Sequence, residues 1–156
     1  MKKYFSIIII VLLVSVLFWI KPMKKVIPLW PPDINVTYNE SKFETATGDY
    51  TLANKPGNSS LADSPINLAK ELRVSPVEKG GQIKFNFNTL LRQPRKTNVY
   101  LLIYNKDKES DIKLKEQVVN GNSFNAPKEK GEYIFLIFSS WDEGHSIDYV
   151  LKINVT

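Results

Sequence analysis

From Tyr4 to Ile20 the chain reads YFSIIIIVLLVSVLFWI, 17 residues without a charge, and a stretch of that kind has to be kept out of water. As a helix rising 1.5 Å per residue it spans roughly 25 Å, the short end of what crosses a hydrocarbon layer. Tyr4 and Trp19 stand at its ends, where amphipathic rings favour the interface, and Lys3, Lys21 and Lys24 flank it with stems that reach outward. A cleaved signal peptide starts in the same way but ends in small residues; here the run closes on Phe18, Trp19 and Ile20, followed by Lys21 and Pro22. The expectation for residues 1–25 is an uncleaved signal-anchor, one transmembrane helix with basic flanks. Lys2 and Lys3 nearly balance Lys21, Lys24 and Lys25, so flanking charge leaves the orientation open. The very short N-terminal tail favours a single-pass arrangement with the C-terminal part outside the cytoplasm.

The same lysines account for the basic balance. The net charge is +5, and five of the 21 basic residues lie in residues 1–25, leaving 16 against 16 acidic residues from Val26 onward. Phosphate recognition needs a basic face clustered on the folded domain itself; nucleic acid is therefore not an expected partner. The absence of cysteine excludes disulfides, thiolate metal sites, a cysteine nucleophile and a lipid anchor attached through cysteine.

Residues 26–65 carry Pro28, Pro31, Pro32, Pro56, Gly57, Asn58, Ser59, Ser60 and Pro65 with few apolar clusters, which reads as a polar stalk with an r.m.s. reach of roughly 35 Å. A competing reading adds Asp49 to Leu52 (DYTL) to the following domain as an edge strand.

Residues 66–156 alternate apolar runs with turn signals, and seven strands are expected, as in an all-β sandwich. The first is Glu71 to Ser75, ending at Pro76. In Gln82 to Asn88, Ile83, Phe85 and Phe87 share one face and polar residues the other. Asn98 to Asn105 (NVYLLIYN) and Glu132 to Ser140 (EYIFLIFSS) are apolar on both faces, the pattern of central strands covered on both sides. Asp111 to Val119 and Asn122 to Ala126 meet at Asn120-Gly121, a pair that suits a type I′ hairpin turn. Ser146 to Val155 turns Ile147, Tyr149, Leu151, Ile153 and Val155 inward and pairs with the preceding strand around Asp142-Glu143-Gly144. A helix competes only at Ser64 to Leu72, with Ser64 as cap and Pro65 in the first turn.

Two stretches, RVSPVEKGGQIKFNFN from Arg73 to Asn88 and FNAPKEKGEYIFLIFSSW from Phe124 to Trp141, resemble immunoglobulin-like sandwich modules of bacterial surface proteins. The resemblance covers well under half of the chain. It implies a seven-stranded antiparallel immunoglobulin-like sandwich in which Tyr133, two residues after Gly131, takes the corner position from which a tyrosine hydroxyl bonds back to the chain upstream. The bridging cysteines and the third-strand tryptophan of antibody domains are missing, and a sandwich implies no particular activity.

Chemistry is sparse. His145 is the single histidine, which rules out histidine-pair zinc motifs. A Ser-His-Asp set from Ser139 or Ser140, His145 and Asp142 or Asp148 would lie on one hairpin without an elbow motif. Asp142, Glu143 and Asp148 lack the spacing of a calcium loop. No enzyme, metal or cofactor is expected. The binding candidates are the turn residues Trp141, Asp142, Glu143 and His145, displayed at a sandwich end, and the basic connection Arg92, Arg95 and Lys96; the competing reading has Trp141 cover the end of the core while the acidic residues solvate the turn. The expected role is a membrane-anchored extracytoplasmic interaction module that binds a protein or cell-envelope partner through sheet edges or end loops. The alternative is a regulator that presents the Trp141 loop to an extracytoplasmic enzyme.

Overall fold

In the computed structural model the described residues are 26–52, 59–105, 108–142 and 144–156, with positions 9, 11 and 15. The expected membrane anchor otherwise falls outside them; among the described residues no helix is long and apolar enough to cross a membrane.

The chain forms two sheets packed face to face. Eleven strands run in order: β1 (Asp33–Tyr38), β2 (Ser41–Phe43), β3 (Thr45–Leu52), β4 (Ser59–Ser60), β5 (Ser75–Val77), β6 (Gln82–Asn88), β7 (Lys96–Asn105), β8 (Lys108–Gln117), β9 (Ser123–Asn125), β10 (Gly131–Asp142) and β11 (His145–Val155), with helix α1 (Pro65–Glu71) before β5. The smaller sheet has the order β2-β1-β6-β9. The larger runs β4-β3-β11-β10-β7-β8, with β5 also on β11. All pairings are antiparallel except β5 with β11.

The alternation in the sequence becomes the inter-sheet core. Ile83, Phe85 and Phe87 of β6 face the inner residues of β10 and β11, namely Phe135, Ile137, Ile147, Tyr149, Leu151, Ile153 and Val155. Aromatic rings tie the layers: Phe124 lies 5.1 Å from Phe135, and Phe87 lies 5.9 Å from Tyr149. A second cluster fills the outer face of the larger sheet, where Ile66, Ala69 and Leu72 pack with Leu102, Ile134, Leu136 and Val150. This layer is why β7 and β10 are apolar on both faces. Ser64 caps α1 by accepting a bond from the Asn67 amide at 3.3 Å, with Pro65 in the first turn; a helix wins this segment.

Three expectations need correction. Residues 33–52, assigned to a stalk, supply β1, β2 and β3. Ile34, Val36 and Phe43 are buried, but they are too widely spaced among polar residues to register as a strand pattern. Asp49 to Leu52 does join the sheet, as the end of β3 along β11. The sandwich therefore has four strands beyond the seven expected. The first expected strand also moves downstream to β5, where Pro76 is tolerated because β5 pairs on one side only. Finally, β8 and β9 do not form a hairpin with each other: β8 pairs with β7 and β9 with β6. The tight reversal between Asn120 and Ser123 remains, with Gly121 at φ +60°, but it carries the chain across to the other sheet.

Tyr133 occupies the expected corner, its hydroxyl donating to the Glu129 carbonyl at 3.1 Å, while Gly131 holds a φ of +146° directly beneath its ring. A second tight corner joins β1 to β2 with both central residues left-handed, Asn39 at φ 45° and Glu40 at φ 67°. Asparagine tolerates that conformation; glutamate does so at a steric cost. Glu40→Gly is expected to raise the unfolding free energy by about 0.5–1 kcal/mol, measured by chemical denaturation.

Candidate functional site

One end of the sandwich collects both groups of candidate residues. Trp141, the last inward residue of β10, lies edge-on to Phe87 with ring centroids 6.2 Å apart. Its Nε1 donates to the Arg92 carbonyl at 2.7 Å. The Arg92 amide donates to the Val26 carbonyl at 2.9 Å, and the Arg95 amide to the Ser140 carbonyl at 2.8 Å. Lys96 stands opposite Ser140. The basic connection and the β10–β11 turn are therefore neighbours, joined mainly through backbone bonds, with Arg95 and Lys96 exposed and Arg92 half-buried.

Trp141 is not displayed at a turn. It is wholly buried, because the loop carrying Arg92 folds over the core and offers its indole a carbonyl partner. The residue plugs the end of the sandwich and cannot insert into a target's cleft. His145 is buried as well, with Nδ1 2.5 Å from Asp142 Oδ1. Asp142 also accepts the Gly144 amide at 3.2 Å. The His145 bond first and the Gly144 amide second hold the Asp142 carboxyl below the usual range, with a smaller contribution from Arg92. Glu143 lies outside the described residues.

An Asp-His pair is thus present, without the link that would make it a relay. Among the described residues His145 Nε2 has no hydrogen-bond partner, and neither has Ser139 Oγ; both atoms are buried. Nucleophilic catalysis needs the base bonded to the nucleophile and an opening for substrate. Asp148 sits on the outer face opposite Phe138, on the other side of β11 from inward-facing Ile147, so it does not join Asp142. Among the described residues no group of three or more histidine or acidic side chains is placed to hold a metal.

The sequence left open binding at a sheet edge without naming the strand, and the structure supplies one. β8 is the outermost strand of the larger sheet, ten residues long and, among the described residues, unpaired along its free side. Lys113, Leu114, Lys115 and Glu116 on it are exposed. Helix α1 lies over β11, β3 and β10. Next to it Tyr100, Tyr104 and Ile112 are only partly buried, and Leu114, opposite Leu102, is 52% exposed. Together they form an apolar shelf beside an open row of backbone donors and acceptors. The two-faced apolarity of NVYLLIYN was its signal in the sequence; what the sequence did not reveal is that the helical cover lies over the neighbouring strands.

The chain matches no protein-family model and no curated protein.

Two outcomes follow from this geometry. Trp141→Ala is expected to cost about 3–5 kcal/mol of stability, and Trp141→Phe less, in urea denaturation. Close approach at Gly48, where an added Cβ would lie 3.2 Å from Asp148 Cβ, sets Asp148 beside Asp49. Burial first, and the Asp49 charge second, push the Asp148 carboxyl from 3.8 up to about 6. The folded protein thus holds this proton more tightly than the unfolded chain, so this group's stability contribution falls as pH rises through that range. Acidification from about pH 7 to about pH 5 is expected to stabilise the fold by about 1 kcal/mol through this group. Asp148→Asn should remove that gain, read as the change in midpoint temperature between the two pH values.

Proposed function

We propose that this chain is a membrane-anchored, non-catalytic interaction module, standing outside the cytoplasm, that binds a protein or cell-envelope partner by strand addition at β8. The observation that carries the reading is the long free edge of β8 beside the Tyr100, Tyr104, Ile112 and Leu114 shelf. Strand addition takes its affinity from main-chain bonds and its specificity from alternate side chains on the adjoining face. This edge offers both. Lys113 and Lys115 on the same strand guard against indiscriminate self-pairing.

The sandwich is read as immunoglobulin-like. Three features support this. The order β1-β6-β9 parallels the A, B and E strands of such domains, and β8-β7-β10-β11 parallels C′, C, F and G. The Tyr133 hydroxyl bonds back four residues upstream. The segment from β2 to α1 then stands as an insertion that places α1 against the outer face. The anchor rests on the uncharged run Tyr4 to Ile20 and its lysine flanks.

The test is site-specific photo-crosslinking in cells of the native organism. A photoreactive residue at Lys115 on β8 should trap one envelope partner, whereas the same residue at Asn86, on the solvent face of β6, should not. Leu114→Glu should reduce the β8 crosslink about tenfold or more, in line with charge placed in a buried apolar contact. Equal trapping from both positions, or a β8 crosslink indifferent to Leu114→Glu, overturns the reading.

A further inference from the structure

We infer that the end of the sandwich built from residues 26–32 and 89–96 seats directly on an anionic phospholipid bilayer, with Trp30 and Leu90 entering the interface and Arg92, Arg95 and Lys96 contacting lipid phosphates. This rests on the proposed anchor.

The two segments are pinned together at both ends. Asp33 pairs with Asn88 where β1 begins and β6 ends, and the Arg92 amide donates to the Val26 carbonyl at 2.9 Å. Trp30 and Leu90 therefore lie in one short strip between those two points. They are 72% and 71% exposed, on a chain whose other tryptophan in the domain is fully buried. Pro32, next along, is fixed by the Tyr149 hydroxyl, which donates to its carbonyl at 2.6 Å, so the strip is held rather than free to fold inward. A large exposed apolar pair rimmed by basic side chains is the composition of an interfacial surface: indole and aliphatic groups enter the headgroup region, and guanidinium groups take phosphate.

Chain length settles which surface that end meets. Only residues 21–25 separate the uncharged run from Val26, and five residues span at most about 17 Å when fully extended. Val26, where the strip begins, cannot stand further than that from the end of the uncharged run, and the same five residues include Lys21, Lys24 and Lys25. Among the described residues at this end, the basic side chains of Arg92, Arg95 and Lys96 stand against the carboxylates of Asp33 and Asp142. Asp142 is already engaged by His145 and the Gly144 amide. The opposite end, with Val155 beside Gly131, is about 35 Å away along β11 and faces outward.

The experiment uses the full chain reconstituted into vesicles, and the natural absence of cysteine allows a single environment-sensitive label at Gln93→Cys or, as the distal control, Lys79→Cys. Vesicles of phosphatidylglycerol with phosphatidylethanolamine should shift the emission at position 93 to the blue and leave position 79 unchanged. Replacing Arg92, Arg95 and Lys96 by glutamine keeps the backbone bonds of that loop and should weaken docking roughly a hundredfold, returning the emission to its aqueous value. Trp30→Ser, at an exposed position, should reduce the shift without unfolding the domain. A label at position 93 that stays aqueous in a chain that floats with the vesicles overturns the docking and leaves the anchor standing. A chain that does not float with them overturns both.

Discussion

β11 is the strand on which the rest of the molecule is hung. Along one side it pairs with β10 from Gly131 opposite Val155 to Asp142 opposite His145. Along the other it takes β3 and then, further on, β5. Its inward residues Ile147, Tyr149, Leu151, Ile153 and Val155 are almost fully buried and meet the smaller sheet, while Val150 on its outer face supports the second cluster under α1. A strand covered on both faces and paired on both edges has no freedom of register, since a slip of one residue would turn every inward side chain outward. The pairing of β3, the position of α1 and the closure of the core all follow from that one placement.

The two ends of the sandwich differ in physical character. At one end Trp141 closes the core and holds the Arg92 loop, which in turn holds Val26, and Tyr149 reaches across to Pro32. Burial pushes the Tyr149 phenol up, well out of the range in which it would ionise, so this bond persists across physiological pH. That end carries the exposed Trp30 and Leu90 strip and is the proposed membrane-facing side. The proposed partner surface, the free side of β8, runs along the flank, where a strand from another molecule has room to align. The two proposed surfaces thereby lie on separate faces.

Strands with a strong period were legible from residues alone. Gln82 to Asn88 and the β10–β11 hairpin came out in the expected place because their apolar residues alternate without interruption and strong turn residues bound them. β1 was not legible: Ile34 and Val36 alternate over too short a run, amid prolines and asparagines that suit a tether equally well. The candidate residues at the Trp141 end were legible as chemical types, and of the two readings of Trp141, displayed on the turn or covering the end of the core, the second holds. Trp141 and His145 flank a hydrophilic-looking turn in sequence, yet both continue the inward phase of their strands, and the phase outweighs the turn.

What the sequence by itself determined is the local alternation of burial along β6, β7, β10 and β11 and the exclusion of any chemistry that needs cysteine or paired histidines; the capped helix at Ser64 stood as one of two local readings, and the Tyr133 corner came only with the resemblance. Each is a property of residues adjacent in the chain, carried by side-chain period, backbone preference or composition. Only the tertiary structure decided that β8 and β9 belong to different sheets, that residues 33–52 complete the sandwich, that Trp141 lies inside, and that residues 26–32 lie alongside residues 89–92. Those outcomes depend on which distant strand supplies an apolar face or a backbone partner, and a period of two residues specifies that a face must be covered without specifying by what.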